Sequence, residues 1–235
     1  MEDIFYNDEK TGRIIIRRSG KAKRISIRIK DGGVILTIPQ KQRTEEGIRF
    51  LKTKYDWILP RLKKEKTKAF VFDENAIFRT ATFELKISKS PLSTFNFKLT
   101  NGLLTILYPQ NQDICSENSQ SIIRMGIERA MRMEAKRLLP ARLAYLAGKF
   151  GFSYSNVTVR ASKTRWGSCS SGKNISLSYF LMTLPDDLID YVLLHELCHT
   201  KEMNHSVRFW KLMDFVTDNK SKVLRIRLKD YKTYF

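Results

Sequence analysis

The 235-residue sequence has few of the features that mark exported, membrane-bound or disulfide-rich proteins. No apolar run approaches the ~18 residues that a membrane-spanning helix requires, so we expect no membrane partner. The cysteines, at 115, 169 and 198, are far apart and form no CxxC pair, which excludes a disulfide framework and a thiolate zinc ribbon. The opening MEDIFYNDEK is charged from its second residue and has no apolar signal segment. We therefore expect a protein of the reducing cytoplasm.

Negative charge is also scarce, and the formal net charge is +19. Residues 1–70 carry 19 Lys and Arg against 9 Asp and Glu, and residues 116–235 carry 20 against 11. The segment between them, 71–115, is balanced at 4 against 4. Such a field attracts anions, whether nucleic acid, nucleotides or acidic proteins. A basic surface that serves only solubility is the alternative.

The N-terminal part has the pattern of β-strands. Residues 24–29 (RISIRI) and 34–39 (VILTIP) alternate around DGG at 31–33, which predicts a hairpin. Three basic residues are expected on one side of its first strand: Arg24, Arg28 and Lys30.

One helix is predicted within this β-rich part. Residues 45–64 have helical periodicity, with Thr44 as the expected cap, and Pro60 is expected to kink or fray the end of the helix. Strand-like runs return over residues 69–109, and the Asn-Gly pair at 101–102 predicts a second hairpin.

Helical periodicity dominates after residue 112. The predicted elements are a long helix through 122–139 that is kinked or interrupted at Pro140, a strand at 156–162, a loop at 165–174, a strand at 175–182, a helix at 185–201 and a helix at 207–216 capped by Ser206. The fold class is therefore α+β. Its predicted domains are a β-rich basic region, 1–112, and a helical region with a small sheet, 113–235.

All three histidines of the chain lie in HELCHTKEMNH, residues 195–205. On a helix His195 and His199 are one turn apart on the same face, so both imidazoles reach one metal ion. Glu196 projects beside that ion and is placed to hold a metal-bound water. This is the HExxH arrangement, in which two histidines bind zinc and the glutamate is the general base.

His205 is the expected third ligand. Because it follows His199 by six residues, the helix must stop and reverse first, with Asn204 as a candidate for a left-handed turn residue. Three protein ligands leave one position on Zn²⁺ for water. Carboxylates are expected to orient the ligating rings, the candidates being Asp190, Glu202 and Asp214. Cys198 and the aromatic pair Phe209 and Trp210 are expected in the core.

The segments RWGSCS, DYVLLHELCH and NHSVRFW, within residues 165–210, resemble the YgjP-like family of zinc-dependent metallopeptidases. RISIRIKDGGVILTIPQ followed by KYDWI is similar to the opening β region of that family. The resemblance implies a zincin-like C-terminal half with His195, His199 and His205 as ligands and Glu196 as base. The chain departs from the family at Ser178, where asparagine is usual, and from the metzincins at Glu202, where their turn glycine stands.

Arg165 is a second candidate catalytic residue. In zincins a strand edge beside the metal helix pairs with an extended substrate. Arg165 precedes the strand predicted here, so it is placed to stabilise an oxyanion or hold an anionic substrate group. A loop arginine beside a packed tryptophan is the alternative.

These residues favour a zinc-dependent hydrolase, with a metallopeptidase acting on polypeptide as the first hypothesis. The second is hydrolysis of a phosphoanhydride, such as a nucleotide, because arginines 24, 28 and 165 suit a small anionic substrate. The third is a protease recruited by nucleic acid, by analogy with SprT-like proteases. Aromatics interleaved with arginine would support the third, but the basic strand at 24–29 has Ile and Ser instead. The sequence leaves the oligomeric state open.

Overall fold

The structure is a computed structural model that describes residues 4–30, 33–68 and 70–233. Its contacts divide the chain into two compact units, Met1–Phe70 (unit 1) and Val71–Phe235 (unit 2). In chain order the elements are β1 (Ile4–Asp8), β2 (Gly12–Ser19), β3 (Ser26–Lys30), β4 (Gly33–Pro39), α1 (Thr44–Lys52), α2 (Tyr55–Lys68), β5 (Glu84–Ser90), β6 (Asn96–Thr100), β7 (Leu103–Pro109), α3 (Glu117–Phe150), β8 (Asn156–Arg160), β9 (Gly167–Cys169), β10 (Asn174–Ser178), a 3₁₀ helix (Tyr179–Thr183), α4 (Asp186–Cys198), α5 (Val207–Val216) and α6 (Ser221–Leu228). The predicted α+β class is confirmed. Within the described part of the chain, every helix is too short or too polar to cross a membrane.

Unit 1 is a four-stranded sheet with two helices. The strand order is β1-β2-β4-β3, in which β2 and β4 are parallel and the other pairs antiparallel. The predicted pairing of the strands now numbered β3 and β4 is confirmed, while Asp31 and Gly32 of the expected turn lie outside the described residues. The side chain of Lys30 is not described either. Strands β1 and β2 were not predicted.

The helical segment of unit 1 differs from the prediction in two places. Thr44 is the first helical residue rather than the cap, and its hydroxyl accepts a hydrogen bond from Arg18. Pro60 lies inside α2, and the break comes earlier, at Thr53–Lys54. The Thr53 hydroxyl donates to the Phe50 carbonyl at 2.7 Å, a local bond that competes with helix continuation.

The strands of residues 84–109 belong to unit 2, so the division between Phe70 and Val71 precedes the predicted boundary at 112. The reason is packing: Leu85, Ile106 and Tyr108 of this sheet are buried in the same cluster as α3. The sheet has the order β5-β7-β6, and the predicted Asn101-Gly102 hairpin joins β6 to β7. Both turn residues have positive φ, 50° and 74°, as a tight hairpin turn requires.

A kink or an interruption is predicted at Pro140, and the interruption does not occur because α3 continues through the proline. Leu139 and Leu143, on either side of the proline, are fully buried. Burial of this face stabilises the helix against the lost backbone hydrogen bond. The helix is capped by Ser116 and ends at Gly151, which has a left-handed φ of 64°.

A small sheet of order β8-β10-β9 lies beside α4 in unit 2. Strand β8 is parallel to the central β10, and β9 is antiparallel to it. The predicted loop at 165–174 therefore contains an edge strand. The predicted strand at 175–182 ends at Ser178, whose hydroxyl accepts the Phe180 N–H at 3.3 Å and starts the 3₁₀ helix.

Candidate metal centre

Helix α4 and the turn after it carry the histidine window. The helix begins after Pro185 with two aspartates in its first turn, which complement its dipole. His195 and Glu196 lie in its last turn, and His199 is its C-terminal cap. His205 comes just before Ser206, whose hydroxyl accepts the Phe209 N–H and caps α5. The end of one helix and the start of the next thus deliver the three imidazoles.

The three imidazoles converge through their Nε2 atoms. His195 Nε2 is 3.2 Å from His199 Nε2 and 3.1 Å from His205 Nε2. Zinc–nitrogen bonds of about 2.0–2.1 Å at tetrahedral angles place two ligand nitrogens about 3.4 Å apart. No other group of three or more His, Cys, Asp or Glu in the described ranges is arranged to hold a metal ion. The donor set therefore fits one metal ion.

A backbone carbonyl orients one of the rings. His199 Nδ1 lies 3.1 Å from the Glu202 carbonyl oxygen, and donation to that oxygen leaves Nε2 free to bind a metal. The predicted carboxylates make other contacts: Asp190 pairs with Arg142, and Asp214 accepts from Ser221. His195 Nδ1 is buried with no hydrogen-bond partner among the described residues.

The chain reverses after His199 without the expected left-handed residue. Positive φ among described non-glycine residues occurs at positions 101, 173, 218 and 219, so neither Asn204 nor Glu202 adopts it. The Lys201 and Glu202 N–H groups both donate to the Cys198 carbonyl, and the Ser206 N–H donates to the Asn204 carbonyl at 2.7 Å. Hydrogen-bonded turns without positive φ thus reverse the chain between His199 and His205.

Burial favours the neutral, metal-binding form of two of the histidines, His195 and His199. Burial, and then the neighbouring His199 and His205, lowers the pKa of His195 to about 3. Burial also lowers the pKa of His199. Because a protonated imidazole has no free lone pair, these lowered pKa values favour ligation by His195 and His199.

Glu196 is 5% exposed, and burial raises the pKa of its carboxyl to about 8, an effect that the positive charge of Arg165 opposes. A Cβ atom built on Gly167 of β9 would lie 2.7 Å from Glu196 Oε1. The carboxyl group therefore rests directly on the backbone of β9. Its other oxygen, Oε2, is buried with no hydrogen-bond partner in the described part of the chain.

The charge of Arg165 is thus close enough to Glu196 to oppose the rise of its pKa. The catalytic roles of both residues stay predictions. The role of Gly167 was missed. The available signal is a glycine directly after the Arg-Trp pair, in a segment whose pattern predicts a loop.

Aromatic rings surround the histidines. The Phe209 ring is fully buried and stacks on His199, with centroids 4.6 Å apart, while Trp210 stacks on His205 at 5.8 Å. The Arg225 guanidinium covers the Trp210 ring at 4.7 Å. Cys198 is fully buried, as predicted. These contacts restrict ring rotation, so the imidazoles are held in place by packing as well as by hydrogen bonds.

Ser178 holds the strand that precedes α4. Its hydroxyl donates to the Ser162 carbonyl at 2.8 Å and caps the 3₁₀ helix. Ser178, which stands where asparagine is usual in the YgjP-like family, therefore connects the end of β10 to the segment after β8.

Comparison with known proteins gives one family match. The sequence model of the family described as "YgjP-like, metallopeptidase domain" matches residues 23–231 of this chain. None of the curated proteins compared with the chain matches it. Among solved structures, the crystal structure of the metallopeptidase zymogen of Pyrococcus abyssi abylysin is similar, with 23% sequence identity and a TM-score of 0.37. That alignment covers 40% of this chain and 93% of the other.

Proposed function

The chain belongs to the YgjP-like metallopeptidase family, and from that premise we propose that it is a zinc-dependent peptidase with Glu196 as general base. The observation that carries the proposal is the convergence of three Nε2 atoms beside a buried glutamate. His195, His199 and His205 would hold the ion. Imidazole nitrogen is a preferred ligand of zinc, and three such ligands are typical of catalytic zinc sites.

A bound zinc ion supplies Lewis acidity that polarises a carbonyl and lowers the pKa of water toward ~7. The protein supplies the proton transfers. In its ionised form, which the charge of Arg165 favours and a bound metal ion would favour further, the Glu196 carboxylate accepts a proton from the attacking water. The resulting carboxylic acid then donates that proton to the leaving nitrogen. Its placement on the backbone of β9 restricts its rotamers, so the acceptor oxygen stays near the histidines.

Arg165 is exposed and close enough to Glu196 to affect its pKa. We assign it to the stabilisation of negative charge that develops on the substrate oxygen, or to an anionic group of the substrate. It acts beside the base and not as a ligand.

A polypeptide is the proposed substrate because β9 is one of the two edge strands of its sheet and carries Gly167 next to Glu196. An extended peptide can add to such an edge by main-chain hydrogen bonds, which places a peptide bond near the base. The three free cysteines accord with the cytoplasm, where we place this activity.

The test compares the parent with Glu196→Gln and Glu202→Gln, all loaded with zinc. Glutamine keeps the shape of the side chain but cannot act as the base, so Glu196→Gln should retain zinc and lose about 100- to 10,000-fold in peptide hydrolysis. Glu202→Gln is the matched control, because it makes the same change in a side chain but keeps the backbone carbonyl of residue 202 that contacts His199. Substrates are an unstructured protein and nucleoside triphosphates, assayed by peptide mass spectrometry and phosphate release.

Full peptidase activity in Glu196→Gln would remove this residue from the mechanism. Phosphate or pyrophosphate release that depends on Glu196, with no peptide cleaved, would replace the peptidase by a phosphoanhydride hydrolase.

A further inference from the structure

Unit 1 carries a row of alternating aromatic and basic side chains on α1, α2 and the turn between them. Its members are Phe50, Lys54, Trp57 and Arg61, which we call the basic–aromatic stripe. The Lys54 ammonium is 5.7 Å from the centre of the Phe50 ring, and the Arg61 guanidinium is 4.4 Å from the centre of the Trp57 ring. Trp57 and Arg61 are four residues apart on one side of α2, and in the turn before α2 the Lys54 carbonyl accepts the Trp57 N–H at 3.0 Å.

The stripe lies off the face that forms the core of unit 1. Leu51, Ile58 and Leu62 of the same segment are buried in that core. In contrast Trp57 is 42% exposed, Lys54 and Arg61 are exposed, and Phe50 is half-buried. A large aromatic ring at the surface, with a guanidinium against one face, leaves its remaining surface for a planar ligand.

The two helices around the stripe are rich in positive charge. Arg49 and Lys52 of α1 are also exposed, and unit 1 has ten more basic than acidic residues. Asp56 adjoins Trp57 but projects about 100° around the helix. Glu46, one turn before Phe50, bounds the stripe at its N-terminal end.

We propose that the basic–aromatic stripe binds single-stranded nucleic acid. Bases would stack on the Trp57 and Phe50 rings, while Lys54 and Arg61 pair with the phosphates. Alternation of rings and cations suits this ligand because its repeat alternates base and phosphate. In double-stranded nucleic acid the bases are not free to stack on protein rings, and an anionic membrane or acidic protein would use the charges but not the exposed ring face. The proposal does not depend on the peptidase activity.

The test measures binding of a fluorescein-labelled 20-nucleotide single strand to the full-length chain by fluorescence anisotropy, between 50 and 200 mM salt. DNA, RNA and duplex versions form separate arms. Variants are Trp57→Ala, Trp57→Phe and Arg61→Ala. Controls are Tyr145→Ala, which removes another exposed aromatic ring, and Lys98→Ala, which removes another exposed charge, both in unit 2.

Trp57→Ala should raise the dissociation constant about tenfold, because the stacking of one base is lost. Trp57→Phe should raise it much less, because phenylalanine keeps an aromatic ring on which the base can stack. Arg61→Ala should lower the slope of log K against log salt by about 1, because one phosphate contact is lost. Both controls should match the parent. Absence of binding at 50 mM salt, tighter binding to duplex than to single strands, or a Trp57→Ala dissociation constant equal to that of the parent would overturn the proposal.

Discussion

At the scale of single residues, Gly167 matters because a side chain there would collide with Glu196. A Cβ atom would stand 2.7 Å from Oε1 and 2.8 Å from Cγ, closer than real Cβ contacts. Since no positive φ occurs at Gly167, close approach and not backbone conformation is the reason for glycine.

We predict that Gly167→Ala retains zinc but loses about 10- to 100-fold in kcat/KM for peptide hydrolysis. The methyl group must displace the carboxyl group or β9, and a shift of about 1 Å in a catalytic group has an effect of this size. Gly172→Ala, in the next turn, meets the Asn174 amide at 3.3 Å and serves as control. Unchanged turnover in Gly167→Ala would mean that the placement of Glu196 tolerates the movement.

His199 is predicted to be essential for the metal because its Nε2 converges with His195 Nε2 at 3.2 Å. His199→Ala should lower the zinc content from one ion per chain to near zero, measured by inductively coupled plasma mass spectrometry after dialysis. Lys201→Ala, an exposed neighbour, should keep the full content. A full zinc content in His199→Ala would place the ligands elsewhere.

At the scale of elements, periodicity and turn chemistry predicted the β3–β4 pairing, the Asn101-Gly102 hairpin and the Ser206 cap, because short-range interactions decide them. The continuous helix at Pro140 was not predictable, since burial of the flanking leucines outweighs the local cost. Strand β9 was missed because three residues carry no period, and pairing with β10 defines it. The histidine cluster was visible in the sequence, whereas the contact of Glu196 with Gly167 requires the fold.

Strand β1 is tied to α2 by a hydrogen bond from the Tyr55 hydroxyl to Asp8 Oδ2, at 2.6 Å. Burial alone would raise the pKa of Asp8, but hydrogen bonds from Tyr55, Thr11 and the Lys10 N–H outweigh it and hold the pKa below its ordinary value. A lowered folded-state pKa stabilises the protein above the unfolded-state pKa of about 3.9 and loses this effect as pH falls through the folded-state value.

Tyr55→Phe should therefore destabilise unit 1 at pH 7 by roughly 1.5 kcal/mol, the scale of one hydrogen bond to a charged group. The difference from the parent should shrink as pH falls below about 4. The free energy of unfolding of unit 1 is obtained from hydrogen exchange of the β1 and β2 amides, measured at increasing urea concentrations and at several pH values. Tyr231→Phe in unit 2 is the control, and a difference that does not vary with pH would contradict the role of the Asp8 charge.

At the scale of the whole molecule, the division near residue 70 predicts which truncation folds. A chain of residues 71–235 keeps the cluster that surrounds α3 and should bind one zinc ion, whereas residues 113–235 should not fold. The shorter chain loses seven buried side chains, and burial of each stabilises the fold by roughly 1.5–3 kcal/mol. Their combined loss is as large as the whole stability of a domain, about 5–15 kcal/mol. These are Phe72, Phe83, Leu85, Ile87, Leu104, Ile106 and Tyr108. A cooperative thermal transition in 113–235, followed by circular dichroism, would contradict this division.

The central claim is that three histidines hold one zinc ion on which peptide hydrolysis depends. Its most direct test removes metal with a chelator and titrates zinc back while cleavage of an unstructured protein is followed. We expect no cleavage without metal and a linear recovery that stops at one zinc ion per chain, with no recovery in His205→Ala. Cleavage that survives complete metal removal, or recovery in His205→Ala equal to that of the parent, would contradict the claim.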